Sequence, residues 1–79
     1  MMTSDEVIAW VADIFEEPVE NISIESSAED IQAWDSLGVL ALMAGLDEDF
    51  DIQLLDEEIQ ELKAVQDILA VFHRNGKVR

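Results

Sequence analysis

Several residue types are scarce or missing in this sequence, and each absence excludes a kind of chemistry. Cysteine does not occur, which excludes disulfides, thiolate catalysis and cysteine zinc sites. His73 is the only histidine, so no histidine metal cluster can form. No stretch approaches the roughly 18 apolar residues of a membrane span, and the first residues show no secretory or lipidation signal. We therefore expect a cytoplasmic protein that does not insert into membranes.

Basic residues are also scarce. The sequence has four lysines and arginines but 19 aspartates and glutamates, which gives a net charge of −15. Such a field repels the phosphates of nucleic acids and attracts partners that carry basic patches. The charge excludes a nucleic-acid-binding protein and favours basic protein partners, although solubility alone would also account for it.

Apolar residues are plentiful, and their spacing predicts helices. They make up 49% of 79 residues, enough for one small domain spanning 1–79, which we expect to be monomeric. The first predicted helix runs from Thr3 to Phe15, with Thr3 and Glu6 at capping-box spacing and Pro18 as its terminator. Its apolar stripe contains Val7, Ile8, Val11, Ile14 and Phe15, with Trp10 at its flank as a core residue.

A long connection follows, from Glu16 to Trp34, without a sustained period. We expect its isoleucines and Trp34 to pack onto the helices, and Glu29–Gln32 could form one turn of helix. Its scattered apolar residues are Val19, Ile22, Ile24, Ile31 and Trp34. A loop of this length in so small a domain is often functional.

Three further helices are predicted, which makes the fold all-α: a small four-helix bundle with a long first loop and a short third helix. The second begins at Asp35 or Ser36, the third is capped by Asp56, and the fourth ends near Asn75–Gly76. Their inward-facing residues are Val39, Leu42, Met43, Leu46 and Phe50 in the second, Ile59 and Leu62 in the third, and Val65, Ile68, Leu69 and Phe72 in the fourth. The second ends at about Asp49 and the third spans Glu57 to about Leu62. Gly38 and Gly45 in the second indicate either a close approach or a tolerated weakness.

Ser36 is the residue with the most interesting position. At a helix N-terminus its hydroxyl could cap the helix, or it could carry a negative group that the free N–H groups and the helix dipole would favour. A nucleophilic serine would need a base, and His73 lies far away in the sequence. No catalytic pair or phosphate-binding loop supports an enzyme.

The segment DSLGVLALMAGLDEDFDIQLLDEEIQELKAVQDILAVF resembles the second half of an acyl carrier protein. Asp35-Ser36-Leu37 matches the phosphopantetheine attachment motif of that family. An amphipathic helix, an acidic run closing on Phe50, the acidic cluster Asp56–Glu58 and Val65-Gln66-Asp67 follow in the family's order. The resemblance extends loosely over the whole chain.

The resemblance implies a specific function. A phosphopantetheinyl transferase would use coenzyme A to attach 4'-phosphopantetheine to Ser36, with Asp35 and Leu37 completing the attachment motif. The thiol of this arm would carry an acyl or related group as a thioester and present it to synthase or acyl-transferring enzymes with basic docking patches. The pathway could be fatty-acid, polyketide or specialised biosynthesis. Such a carrier catalyses nothing itself.

The chain departs from the common fatty-acid carriers of the family, which usually have acidic residues where Gly38 and Ala41 stand. The predicted docking face of the second helix is small and apolar near Ser36 and becomes acidic only at its far end. It comprises Leu37, Leu40, Ala41, Ala44, Asp47 and Glu48. A specialised carrier would explain this face, and so would neutral variation of a solvated surface.

Two alternatives stay open. An unmodified acidic interaction module could bind a basic partner through the 36–49 helix, with Ser36 as a cap only.

Asp47–Glu58 also has the acidic spacing of an EF-hand calcium loop, but Ile52 stands where the loop needs glycine, so we predict no dedicated metal site. Loose binding of divalent cations by these crowded acids stays an open alternative.

His73 is expected near the end of the last helix, and Trp34 is expected to anchor the loop or to contact the arm.

Overall fold

The computed structural model describes residues 2–78 and confirms the all-α prediction. Four helices are present in this range: α1 (Ser4–Ile14), α2 (Ser36–Phe50), α3 (Asp56–Gln60) and α4 (Val65–Arg74). A 3-10 turn, Val19–Asn21, interrupts the first connection. Residues 2–78 form no strand, only isolated bridges between Met2 and Val78 and between Ser27 and Ala64. None of the described helices is long and apolar enough to cross a membrane.

The start of α1 matches its prediction and its end lies one residue before the predicted Phe15, but the helix is not terminated in the expected way. The Thr3 hydroxyl accepts the Glu6 N–H, and the Glu6 carboxylate accepts the Thr3 N–H at 2.9 Å, which is the predicted capping box. Pro18 was expected to terminate the helix, yet α1 ends at Ile14. Glu16 adopts a left-handed φ of 54°, and the Glu17 N–H bonds back to the carbonyl of Ala12. This C-terminal motif stops the helix before the proline is reached.

The core lies between α1, α2 and α4 and contains the predicted apolar stripes. Its fully buried members include Val7, Leu42, Leu46, Ile68 and Phe72. Three aromatic rings, Trp10, Phe50 and Phe72, meet edge to face with centroids 4.9 to 5.6 Å apart. This aromatic cluster packs α1, α2 and α4 together, since each ring comes from a different one of these helices.

The first connection packs mainly as expected, with one error. Ile22, Ile31 and Trp34 are buried, whereas Ile24 is 38% exposed. Ile24 contributes its backbone instead, because its carbonyl accepts the Gln66 N–H at 3.1 Å. The possible helix at residues 29–32 is absent; this segment forms hydrogen-bonded turns.

One of these turns is closed by a side chain of the first connection. The carboxylate of Asp30 accepts the Ser27 N–H and the Ser27 hydroxyl, both at 3.0 Å. The backbone hydrogen bond lowers the pKa of Asp30 most, and the hydroxyl lowers it further. Both donors stabilise the charged carboxylate, so the turn is best formed when Asp30 is ionised.

The third helix begins one residue earlier than predicted. Asp56 was expected to be its cap but is its first helical residue, and the preceding Leu55 occupies the cap position. The Leu55 N–H is satisfied by the Glu58 carboxylate at 3.0 Å, which removes the need for a capping side chain at 56. Glu58 also pairs with Arg74 at 3.0 Å and so links α3 to α4.

The end of α4 agrees with the sequence prediction, whereas the acidic segment before α3 does not form a calcium loop. His73 lies in the last turn of α4, as predicted, and Gly76 follows with a left-handed φ of 68°. Arg79, one of the four basic residues of the sequence, lies outside the described residues. The EF-hand spacing does not form a loop, because α2 continues through Phe50 and leaves Asp47 in a helix. Within residues 2–78 no group of three potential metal ligands is close enough to hold an ion.

Candidate functional site

The site is built around Ser36, the first residue of α2. Its side chain is exposed and makes no hydrogen bond with any residue in 2–78. The cap is the preceding Asp35, whose Oδ1 accepts the Gly38 N–H at 2.9 Å. The interpretation of Ser36 as the helix cap is therefore wrong, and its hydroxyl is left available for other chemistry.

The surroundings of Ser36 fit a phosphodiester on its oxygen. The N–H groups of Ser36 and Leu37 lie in the first turn of α2 and have no partner in the described part of the chain. Together with the positive end of the helix dipole, they favour a negative group at this point. Asp35 brings a negative charge nearby, but it is solvent-exposed and its Oδ1 is already occupied by Gly38. These residues could therefore hold the phosphate of a 4'-phosphopantetheine arm, whose thiol would supply thioester chemistry.

The loop that leads into Ser36 is held by two contacts. Trp34 is 8% exposed and stacks on Phe15 with a centroid distance of 5.1 Å. The Ala33 carbonyl oxygen occupies the place where a Cβ on Gly38 would lie, and Phe15 approaches the same point to 3.2 Å. Trp34 is thus a loop anchor, which is one of the two roles expected for it. Gly38 allows the loop to pass directly against the first turn of α2.

A second close approach lies further along α2. A Cβ on Gly45 would come within 2.8 Å of Ile14 and 2.9 Å of Trp10. The indole N–H of Trp10 also donates a hydrogen bond to Asp49 Oδ2 at 2.9 Å, near the end of α2. The two glycines of α2 therefore mark close contacts, one with the loop and one with α1.

The predicted docking face is exposed along the length of α2. Leu37 is 76% exposed and Leu40 is 59% exposed. The remaining members are also exposed: Ala41, Ala44, Asp47 and Glu48. Whether partners dock here stays a prediction.

Beside this face the structure shows a groove that was not predicted. The groove has a volume of about 320 Å³ and lies between α2 and the segment before α3. Its lining residues are Leu40, Met43, Ala44, Asp47, Ile52, Gln53 and Leu54. The amphipathic pattern assigned Met43 to the core, and no local pattern in 52–54 indicated a surface cleft. The chain leaves α2 at Asp51, which has a left-handed φ of 56°. This turn brings residues 52–54 back against the helix.

Comparison with known proteins agrees with this geometry. A small acidic helical bundle with an unbonded serine at a helix N-terminus has the features of a carrier domain. No family model matches the sequence. An acyl carrier protein of Thermosynechococcus vestitus is 42% identical over 66 residues, covering 82% of this chain and 80% of the relative.

Two other relatives extend the comparison. An acyl carrier protein of Bdellovibrio bacteriovorus is 33% identical over 58 residues, covering 73% of this chain and 74% of the relative. One of Campylobacter concisus is 32% identical over 78 residues, covering 89% of this chain and all of the relative. The chain therefore belongs to the acyl carrier protein family, and its role is that of a non-catalytic carrier.

Proposed function

We propose that this protein carries acyl or related intermediates as thioesters on a 4'-phosphopantetheine arm attached to Ser36. The observation that carries the proposal is the exposed and unbonded hydroxyl of Ser36 at the N-terminus of α2, in a member of the acyl carrier protein family. Because the chain lacks cysteine, a thioester requires a thiol from such an arm. Asp35 and Leu37 would support the attachment by holding and flanking the serine.

The attachment would be made by a phosphopantetheinyl transferase. A bond forms between the Ser36 oxygen and the phosphorus of the pantetheine half of coenzyme A. The pyrophosphate bond of coenzyme A breaks, and adenosine 3',5'-bisphosphate leaves while the serine proton passes to a base of the transferase or to solvent. Synthases or acyl-transferring enzymes of fatty-acid, polyketide or specialised biosynthesis would then use the loaded carrier. A cytoplasmic location and residues 1–79 as a single monomeric carrier domain stay predictions.

The test is the intact mass of the protein after incubation with coenzyme A, magnesium and a broad-specificity phosphopantetheinyl transferase. We expect the wild-type protein to gain one phosphopantetheine and Ser36→Ala to gain none. Ser4→Ala is the matched control, since Ser4 is likewise an exposed first residue of a helix behind a capping residue. This variant should be modified like the wild type.

Failure of the folded wild type to gain mass with several transferases would contradict the proposal. The alternative, an unmodified acidic interaction module, would then be favoured, and a basic partner for α2 should be sought. Modification that persists in Ser36→Ala would instead place the arm on another residue.

A further inference from the structure

Trp34, one of the two tryptophans of the chain, lies two residues before Ser36 and is buried although it belongs to a loop. Its indole lies nearly parallel to the ring of Phe15, with an interplanar angle of 20°. Phe15 is itself only 2% exposed, so both rings of the stack are out of water. Stacked aromatic pairs contribute stability beyond the area that they bury, so this contact holds the loop as well as filling the core.

The partner ring of this stack is fixed by the end of α1. The Phe15 N–H donates to the Val11 carbonyl at 3.0 Å, so its backbone continues the hydrogen bonding of that helix. On the loop side, the Trp34 N–H donates to the carbonyl of Ile31 at 3.0 Å, and Ile31 is buried. Trp34 is therefore held between a closed turn of its own loop and a rigid part of the bundle.

The residues on either side of Trp34 both contact the first turn of α2. The Ala33 carbonyl oxygen lies where a Cβ on Gly38 would be. Asp35 caps the helix through its Oδ1, which accepts the Gly38 N–H at 2.9 Å. Since only Asp35 separates Trp34 from Ser36, the position of the indole limits where the serine can lie. The stack on α1 thus holds both the cap and the start of α2.

We infer that Trp34 is a positioning residue for the modification of Ser36, because its stack on Phe15 holds the serine hydroxyl in one place before a transferase binds. The inference rests on the proposed carrier function and concerns how the attachment site is prepared. When the stack is lost, the Asp35 cap opens and the first turn of α2 frays, so the competent arrangement becomes a fraction of the population. The apparent affinity of the transferase for the carrier falls by that fraction.

The experiment compares Trp34→Leu with Trp34→Phe, well below the Tm of each variant. Leucine keeps the position apolar but cannot stack on Phe15, whereas phenylalanine restores a ring. One readout is the hydrogen exchange of the Gly38 N–H in the free carrier, whose protection should fall about tenfold in Trp34→Leu. The other is kcat/KM for modification by a broad-specificity phosphopantetheinyl transferase with coenzyme A and magnesium, which should fall about threefold or more, through KM. Trp34→Phe should recover most of both.

Trp10→Leu is the matched control, because Trp10 contacts α2 towards its other end. It approaches Gly45 and donates to Asp49, which lies about 20 Å from Ser36 along the helix axis. Loss of this ring should lower the Tm of the domain while the exchange of the Gly38 N–H and kcat/KM stay at their wild-type values. If Trp34 acted through global stability alone, the two leucine variants would behave alike.

Phe15→Leu removes the other ring of the stack with a smaller change in volume, and it replaces Trp34→Leu in the test should that variant not fold. It should reproduce the same losses.

Three results would overturn the inference while leaving the carrier function intact. One is a folded variant without the stack that is modified as efficiently as the wild type. Another is a loss of kcat/KM with unchanged exchange at Gly38, since Trp34 would then contact the transferase directly. The third is an equal loss of kcat/KM in Trp10→Leu. Absence of any mass gain in the folded wild type would instead refute the carrier function, and the inference with it.

Discussion

Replacing Gly38 by alanine should destabilise this protein, although the same change usually stabilises a helix. Helix propensity favours alanine by up to about 1 kcal/mol. The new Cβ would overlap the Ala33 carbonyl oxygen, a backbone atom that cannot rotate away, and would crowd Phe15. Overpacking of this kind costs about 1–3 kcal/mol, and the fixed backbone neighbour places this case in the upper half of that range. We expect a net loss of about 1–2 kcal/mol in the free energy of unfolding.

The assay is thermal unfolding followed by far-UV circular dichroism. For a domain of this size the loss corresponds to a fall in Tm of roughly 5–15 °C. Ala41→Gly, at an exposed position of the same helix, calibrates the propensity difference and should cost about 1 kcal/mol. A rise in Tm for Gly38→Ala, equal in size to the Ala41→Gly loss, would show that the loop does not press against α2 and would refute the account of Gly38.

Three further predictions concern hydrogen bonds of the described chain. Trp10→Phe should lower the free energy of unfolding by about 1–2 kcal/mol by removing the indole donor, and in a double-mutant cycle with Asp49→Ala, monitored by chemical denaturation, the two losses should not add. Asp35→Ala should cost about 0.5–2 kcal/mol in the same assay through loss of the α2 cap, and full stability in this variant would contradict the capping role. Asp30 has a folded pKa below its ordinary value of 3.8, so its contribution is present above that value and is lost as the pH falls through the lower folded pKa. Asp30→Asn should therefore unfold at lower Tm than the wild type near neutral pH, and the difference should shrink in strong acid; a constant difference would show that the Ser27 contacts do not act through ionisation.

The helices were predictable because their patterns are local. The capping box of Thr3 and Glu6, the apolar stripe of α4 and the glycine after it each act within a few residues along the chain. The end of α1 was less predictable, because Pro18 gives a strong stop signal while the actual stop is made by the backbone at Glu16. The cap of α2 was ambiguous for a similar reason, since Asp35 and Ser36 are both good capping residues and only the folded geometry selects one.

The amino-acid sequence alone determined the all-α class, the large negative net charge, the absence of any cysteine thiol and the position of Ser36 at a helix start. These follow from composition and from spacings within single helices. The tertiary structure decided which oxygen caps α2, why Gly38 and Gly45 lack side chains, and where a groove opens beside Leu40. Each of these depends on atoms brought together from distant parts of the chain, such as Trp10 meeting Asp49. Contacts of that kind leave no periodic trace in the sequence, because they depend on how the helices pack and on the path of the loops between them.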